Sequence, residues 1–148
     1  MMRVVCDVNV LISGLLFGGV PGQVYDAGTK EGKFVFLRSQ LLVDELRRVL
    51  SYPKFGSRLE RAGVEIDQLL YDFVNASYPA LLAYIPPDAV SDPKDIHILA
   101  AAVGAKADCI ISGDKRHLLT LKSYQGIPIL EAERFLTLLA TMDEKYQI

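Results

Sequence analysis

The sequence predicts an α/β fold, a three-layer α/β/α sandwich around a central, mainly parallel sheet of four to five strands. Three observations lead there. Apolar, β-rich runs take turns with stretches of helical spacing along the whole chain. The β-rich runs are continuous instead of alternating, as strands covered on both faces are, and helices on both faces are what covers them. Finally, 148 residues with no repeat, linker or low-complexity tract suit one domain over 1–148, long enough to bury about 70% of the surface of its unfolded chain.

Arg3 to Asp7 (RVVCD) reads as the first strand, and Asn9 to Leu16 continues with helical spacing. Gly18, Gly19, Pro21 and Gly22 break that pattern, with Pro21 suited to opening a helix through Thr29. Lys33 to Leu37 (KFVFL) is the second predicted strand. Ser39 is an N-cap candidate for a helix to Leu50, stopped before Pro53. Tyr52 to Gly63 reads as loop and short helix, and Ile66 to Ser77 as an amphipathic helix ending ahead of Pro79. Leu81 to Ile85 is the third predicted strand. Asp92 and Pro93 open a helix through Ala105, Asp108 to Ser112 (DCIIS) and Ile127 to Leu130 are strands, and Glu131 to Met142 is the closing helix.

Composition narrows the function. With 51% hydrophobic and 23% charged residues the chain is globular and not disordered. A spanning helix needs about 20 apolar residues, whereas the longest candidate, Val8 to Val20, contains Asn9, Ser13 and three glycines. Arg3 before an apolar run resembles a signal peptide, but Asp7 interrupts the run and no A-x-A site follows; a cytoplasmic protein without membrane contact is expected. Cys6 and Cys109 each sit among Val or Ile and read as buried free thiols; without C-x-x-C or a Cys/His cluster, zinc has little support. A net charge of -2 argues against wrapping duplex DNA by bulk electrostatics.

Four carboxylates stand out by position. Asp7 closes the first strand, where a charge is costly to bury unless paired or metal-bound, although an N-cap explains it too. Glu45 borders the apolar stripe of its helix, with Leu41, Leu42 and Val49 at helical spacing, and Arg48 at i+3 is an ordinary surface partner. Asp92 and Asp95 flank Pro93 as N-cap and N3 of a helix start. Asp114 ends CIISGD, where a buried strand breaks into a polar loop beside Ser112. Singly, each has a plain structural explanation.

Together they imply more. Two strand ends and a helix start can share one rim of a parallel sheet, the rim where ligands bind in such folds, and Glu45 can reach it from the flanking helix. Three or four carboxylates with no fixed cation among them repel unless a cation compensates. Oxygen-rich groups of this kind suit Mg²⁺ or Mn²⁺, which leave positions open for substrate phosphates.

The ordered blocks VVCDVNVLISGLL, SQLLVDELRRVL, SDPKDIHILAAA, CIISGDKRHLL and GIPILEAERFL resemble the PIN domain family, specifically its small prokaryotic branch of toxin components from toxin-antitoxin pairs. The resemblance covers essentially the whole chain. It carries the family's acids onto Asp7, Glu45, Asp95 and Asp114, with Asn9 and Ser112 on the accompanying polar positions; Val8 departs from the family's frequent Thr, and Asp92 competes with Asp95 within DPKD. The resemblance implies metal-dependent cleavage of RNA phosphodiesters that leaves 5'-phosphate and 3'-hydroxyl ends. Asp7 would be the central ligand, Asp95 and Asp114 would complete the shell, and Glu45 would bind metal or orient the nucleophile. The apolar faces around Ile66–Val74 and Phe135–Leu139 are expected to include some interface, and the resemblance also implies homodimers and, as for toxin members, a cognate antitoxin near the acidic groove.

RNA binding is compatible with the charge, because setting aside the four acids leaves 16 basic against 14 acidic residues. Arg47, Arg48, Lys54, Lys115 and Arg116 are the candidate phosphate contacts. His97 and His117 carry no assigned role. Two other readings compete: an inactive PIN scaffold that binds RNA or protein, and a Mg²⁺-dependent phosphatase, which would need a second acid where Asn9 stands.

Overall fold

The computed structural model describes residues 1–146. In chain order the elements are β1 (Arg3–Cys6), α1 (Val8–Leu16), α2 (Gly19–Thr29), β2 (Val35–Arg38), α3 (Gln40–Leu50), a 3-10 turn (Pro53–Phe55), α4 (Gly56–Ala62), α5 (Ile66–Ala76), β3 (Ser77–Pro79), a second 3-10 turn (Pro93–Asp95), α6 (Ile96–Gly104), β4 (Cys109–Ile111), α7 (Leu118–Leu121), β5 (Ser123–Tyr124), β6 (Ile127–Leu130) and α8 (Ala132–Tyr146). The strands form one sheet of order β3-β2-β1-β4-β6-β5 in the expected α/β/α arrangement. All neighbours are parallel except the β5–β6 hairpin. From β1 the chain builds outward first through β2 and β3, then on the other side through β4 and β6. The strand order therefore reverses between β1 and β4, and a crevice opens beyond their carboxyl ends.

Continuous apolar runs became the central strands for the reason they were read that way. Val4, Val5, Cys6, Ile110 and Ile111 are each at most 1% exposed, because helices cover both faces. Phe34 packs edge-to-face on Phe36 and Phe135, with ring centres 4.8 and 4.9 Å apart, tying β2 to α8. Cys6 and Cys109 are free and buried. Among the described residues no single helix is long and apolar enough to cross a membrane; α1 and α2 pass that test only as a pair, bent by 96° at the break.

Several expectations need correction. The third strand is Ser77–Pro79, paired with β2 from Phe36↔Ser77 to Arg38↔Pro79, and not Leu81–Ile85. Pro79 is tolerated because this is the sheet edge, where a missing N–H leaves no ladder bond unmade. Arg38 fixes the abrupt helix-to-strand switch, its Nη1 donating to the carbonyls of Val74 (3.0 Å) and Ser77 (2.5 Å). Residues 80–85 instead run along α6, where the Ala83 N–H donates to the Ala100 carbonyl (3.0 Å). Leu81 and Tyr84 are each 82% exposed and only Ile85 is buried, so apolar composition there did not mean burial. The passage is possible because Gly104 lacks a side chain: a Cβ there would lie 1.8 Å from the Leu81 carbonyl oxygen.

The sheet also has six strands instead of four or five, the addition being the two-residue β5; the short helix α7 ahead of it is a further element outside the expectation. The Asp92–Ala105 helix begins as a 3-10 turn and becomes α-helical at Ile96. The apolar faces expected as interfaces are largely internal, with Leu70, Phe73, Phe135 and Leu139 in the chain's own core.

Candidate functional site

The site grows from the β1–β4 pairing. Cys6 stands beside Ile111, and the Asp7 N–H donates to the Ile111 carbonyl (2.9 Å), so Asp7 and Ser112 leave the sheet side by side. Asp7 is 7% exposed and Ser112 is fully buried. The Asp7 carboxylate caps α1 by accepting from the Val10 N–H (3.0 Å). Its other oxygen accepts from the Ser112 hydroxyl (2.5 Å) and the Gly113 N–H (3.3 Å). Burial still outweighs these bonds and raises the Asp7 pKa, with the charge of Asp114 adding to the rise.

Gly113 turns the chain so that Asp114 follows at the rim. The Asp114 N–H donates to the Ser112 hydroxyl (3.0 Å), and its carboxylate accepts from the N–H groups of Arg116 (3.0 Å) and His117 (3.2 Å). Asp92 caps the turn before α6 by accepting from the Lys94 N–H (3.0 Å), which is the capping role foreseen for it. Asp95 ends that turn. Its pKa is pushed up to about 6, first by burial and then by the charges of Asp92, Asp114 and Asp7, with His117 opposing. Its Oδ2 is buried without a hydrogen-bond partner. Glu45 arrives from α3 and takes a hydrogen bond from His97 Nε2 (2.8 Å), with Arg48 3.8 Å from its other oxygen.

Asp7, Glu45, Asp95 and Asp114 line one small cavity of about 40 Å³, together with Asn9, Lys94 and His97. Sequence reasoning expected no cation among these acids; Lys94 is there, and DPKD already carried the signal. The bond from His97 has no signal in the sequence, where nothing ties it to Glu45, 52 positions away. The other candidates scatter. Ser112, Lys115 and Arg116 line a larger adjoining groove of about 780 Å³ that shares Asn9 and Asp114 with the acid cavity. Arg48 bonds the Tyr52 hydroxyl, Arg47 is paired with Asp67 (2.6 Å), and Lys54 lies over the Phe55 ring; none lines either space.

The donor set is chemically suited to a hard cation: four carboxylates around a pocket, one of them with a buried oxygen lacking any donor. The placement is less complete. Among the described residues, no group of three or more His, Cys, Asp or Glu side chains is gathered so as to hold a metal ion. Asp7, Asp114 and Glu45 are instead turned toward donors of the protein itself.

A family model described as PIN domain matches residues 3–116. The chain belongs to the PIN domain family. PIN domains are typically nucleases that bind divalent metals and nucleic acid, which gives the acid cavity and its groove a chemical context. The matched span contains all four cavity acids and stops at Arg116, before α7 and the β5–β6 hairpin. No curated protein matches the chain in sequence.

Proposed function

We propose that this PIN domain is an endoribonuclease dependent on Mg²⁺ or Mn²⁺, hydrolysing RNA phosphodiesters at the acid cavity. One observation carries the reading: four carboxylates from four separate places in the chain line one cavity at the strand-order reversal, beside a groove that holds Lys115 and Arg116. Asp7, Asp95 and Asp114 would hold the metal, with Glu45 binding it or orienting the attacking water. Bound there, the cation would supply Lewis acidity and a water deprotonated near neutral pH. The chain's own part is positional. Ser112 and the Gly113 N–H fix Asp7, and the Arg116 and His117 N–H groups fix Asp114. Lys115 and Arg116 would draw the RNA backbone along the groove, with an affinity that falls as salt rises.

We further place it, from its resemblance to the toxin-like branch, as the toxin of a cytoplasmic toxin-antitoxin pair, working as a homodimer restrained by a cognate antitoxin. The rival reading, an inactive scaffold for RNA or protein, is favoured by the lack of a gathered metal-binding group among the described residues.

Cleavage of structured RNAs with Mg²⁺, Mn²⁺ or EDTA separates the two. The nuclease reading expects cleavage with metal, none in EDTA, and a loss of at least about 10²-fold in Asp7→Asn and Asp95→Asn proteins that remain folded. RNA bound but never cut would establish the scaffold instead, and an Asp7→Asn protein as fast as wild type would take the acid cavity out of the reaction.

A further inference from the structure

We infer that His97 is a positioning residue for Glu45, holding that carboxylate at the acid cavity from the neighbouring helix. The inference rests on the nuclease reading above and adds a residue to which that reading gives no part.

The geometry is specific. His97 lies in the first turn of α6 and Glu45 near the middle of α3, so their 2.8 Å contact ties together two helices that are distant in sequence. Both side chains line the cavity and both are largely shielded, at 14% and 25% exposure, so the bond is not averaged away by water as a surface pair would be. The two ring nitrogens differ. Nδ1 is buried and meets no hydrogen-bond partner, whereas Nε2 meets a carboxylate oxygen. A carboxylate accepts and does not donate, so Nε2 carries the hydrogen; an unpaired lone pair at buried Nδ1 is also tolerated more readily than an unpaired N–H.

The consequence falls on Glu45. Its Oε2 is committed to His97, while its Oε1 lies 3.8 Å from Arg48, an ion pair beyond hydrogen-bond reach. Without His97 the long Glu side chain would be free to swing out to Arg48 and solvent. With it, one oxygen is anchored and the other is left for a ligand. Hydrogen-bonded partners that aim a metal-binding carboxylate commonly change metal affinity or activity by about 10–100-fold when removed.

The test compares wild type, His97→Leu, His97→Gln, Glu45→Gln and the double variant His97→Leu/Glu45→Gln. Mn²⁺ affinity is read by electron paramagnetic resonance, kcat and KM are measured on one RNA, and metal-free melting checks the fold. His97→Leu fills the space but cannot donate; it should weaken Mn²⁺ binding and lower kcat by about 10–100-fold with KM little changed. His97→Gln presents a donor at similar reach and should recover most of both. In the Glu45→Gln background the Leu substitution should add almost nothing, because the group it positions is gone. If His97→Leu binds Mn²⁺ as wild type does, or its penalty persists undiminished beside Glu45→Gln, the assignment is wrong. Should His97→Leu fail to fold, His97→Gln decides alone: affinity within about threefold of wild type supports the role, and a loss of about tenfold or more overturns it. Wild-type protein that binds no Mn²⁺ marks failure of the nuclease reading, a different result from any of these.

Discussion

Asp7 and Asp95 are both carboxylates pushed upward by burial, yet the protein treats them differently. Asp7 is held by three donors, while Asp95 has a buried oxygen with none. Asp95 therefore bears its charge in the metal-free protein with no donor at its buried oxygen to offset the burial. Its folded-state pKa, about 6, lies above its unfolded value. The folded form thus holds the proton more tightly, and this contribution to stability is complete below the unfolded value and lost as pH rises through about 6. In EDTA the melting temperature should fall between pH 5 and pH 7, and Asp95→Asn should flatten that fall. An unchanged slope in the variant would assign the effect elsewhere. Asp7 shifts in the same direction, but an Asn there must set its amide nitrogen against a backbone N–H, either that of Val10 in the α1 cap or that of Gly113. Asp95 is the cleaner probe.

At the scale of elements, the segment after β3 is controlled by an absence. Gly104 has no Cβ, and the backbone of residues 81–83 passes where one would be. Gly104→Ala should destabilise the protein by about 1–3 kcal/mol, read from urea denaturation midpoints. Gly56→Ala is the control: nothing lies within 4 Å of its would-be Cβ, and at the head of α4 it should be neutral or stabilising by up to about 1 kcal/mol. Equal effects at the two glycines would remove the steric explanation. The same region shows where sequence reasoning stops. Val4–Cys6 and Cys109–Ile111 were legible because burial on both faces leaves an unbroken apolar run. Leu81–Ile85 has that composition without that burial, and Ser77–Pro79 pairs in the sheet with no apolar run at all, recruited by Arg38 and the register of β2. Elements as short as β5 are set by turn geometry, here Lys122 and Gln125 at φ of 61° and 48° and Gly126 at 79°, and not by periodicity.

Across the whole molecule, the candidate acids were legible for a topological reason. In a parallel sheet every strand ends on the same rim, so Asp7 and Asp114, placed just after β1 and β4, had to be neighbours once those strands paired. What could not be read was how each carboxylate is occupied. The Glu45–His97 bond and the entry of Lys94 depend on how α3 and α6 meet, which no local pattern records.

The exposed passage at Leu81, Leu82 and Tyr84 also divides the chain into two halves that share the acid cavity. The first carries β1 to β3 with Asp7 and Glu45; the second carries α6 and β4 to β6 with Asp95, His97 and Asp114. A protease that cuts after large apolar residues should nick here first. The fragments should then stay together through gel filtration, clasped by the β1–β4 ladder, and separation of the nicked protein under native conditions would refute this. Two inert polypeptides, expressed apart and mixed, would thus rebuild the cavity only by finding each other, which makes this chain a natural template for a split reporter.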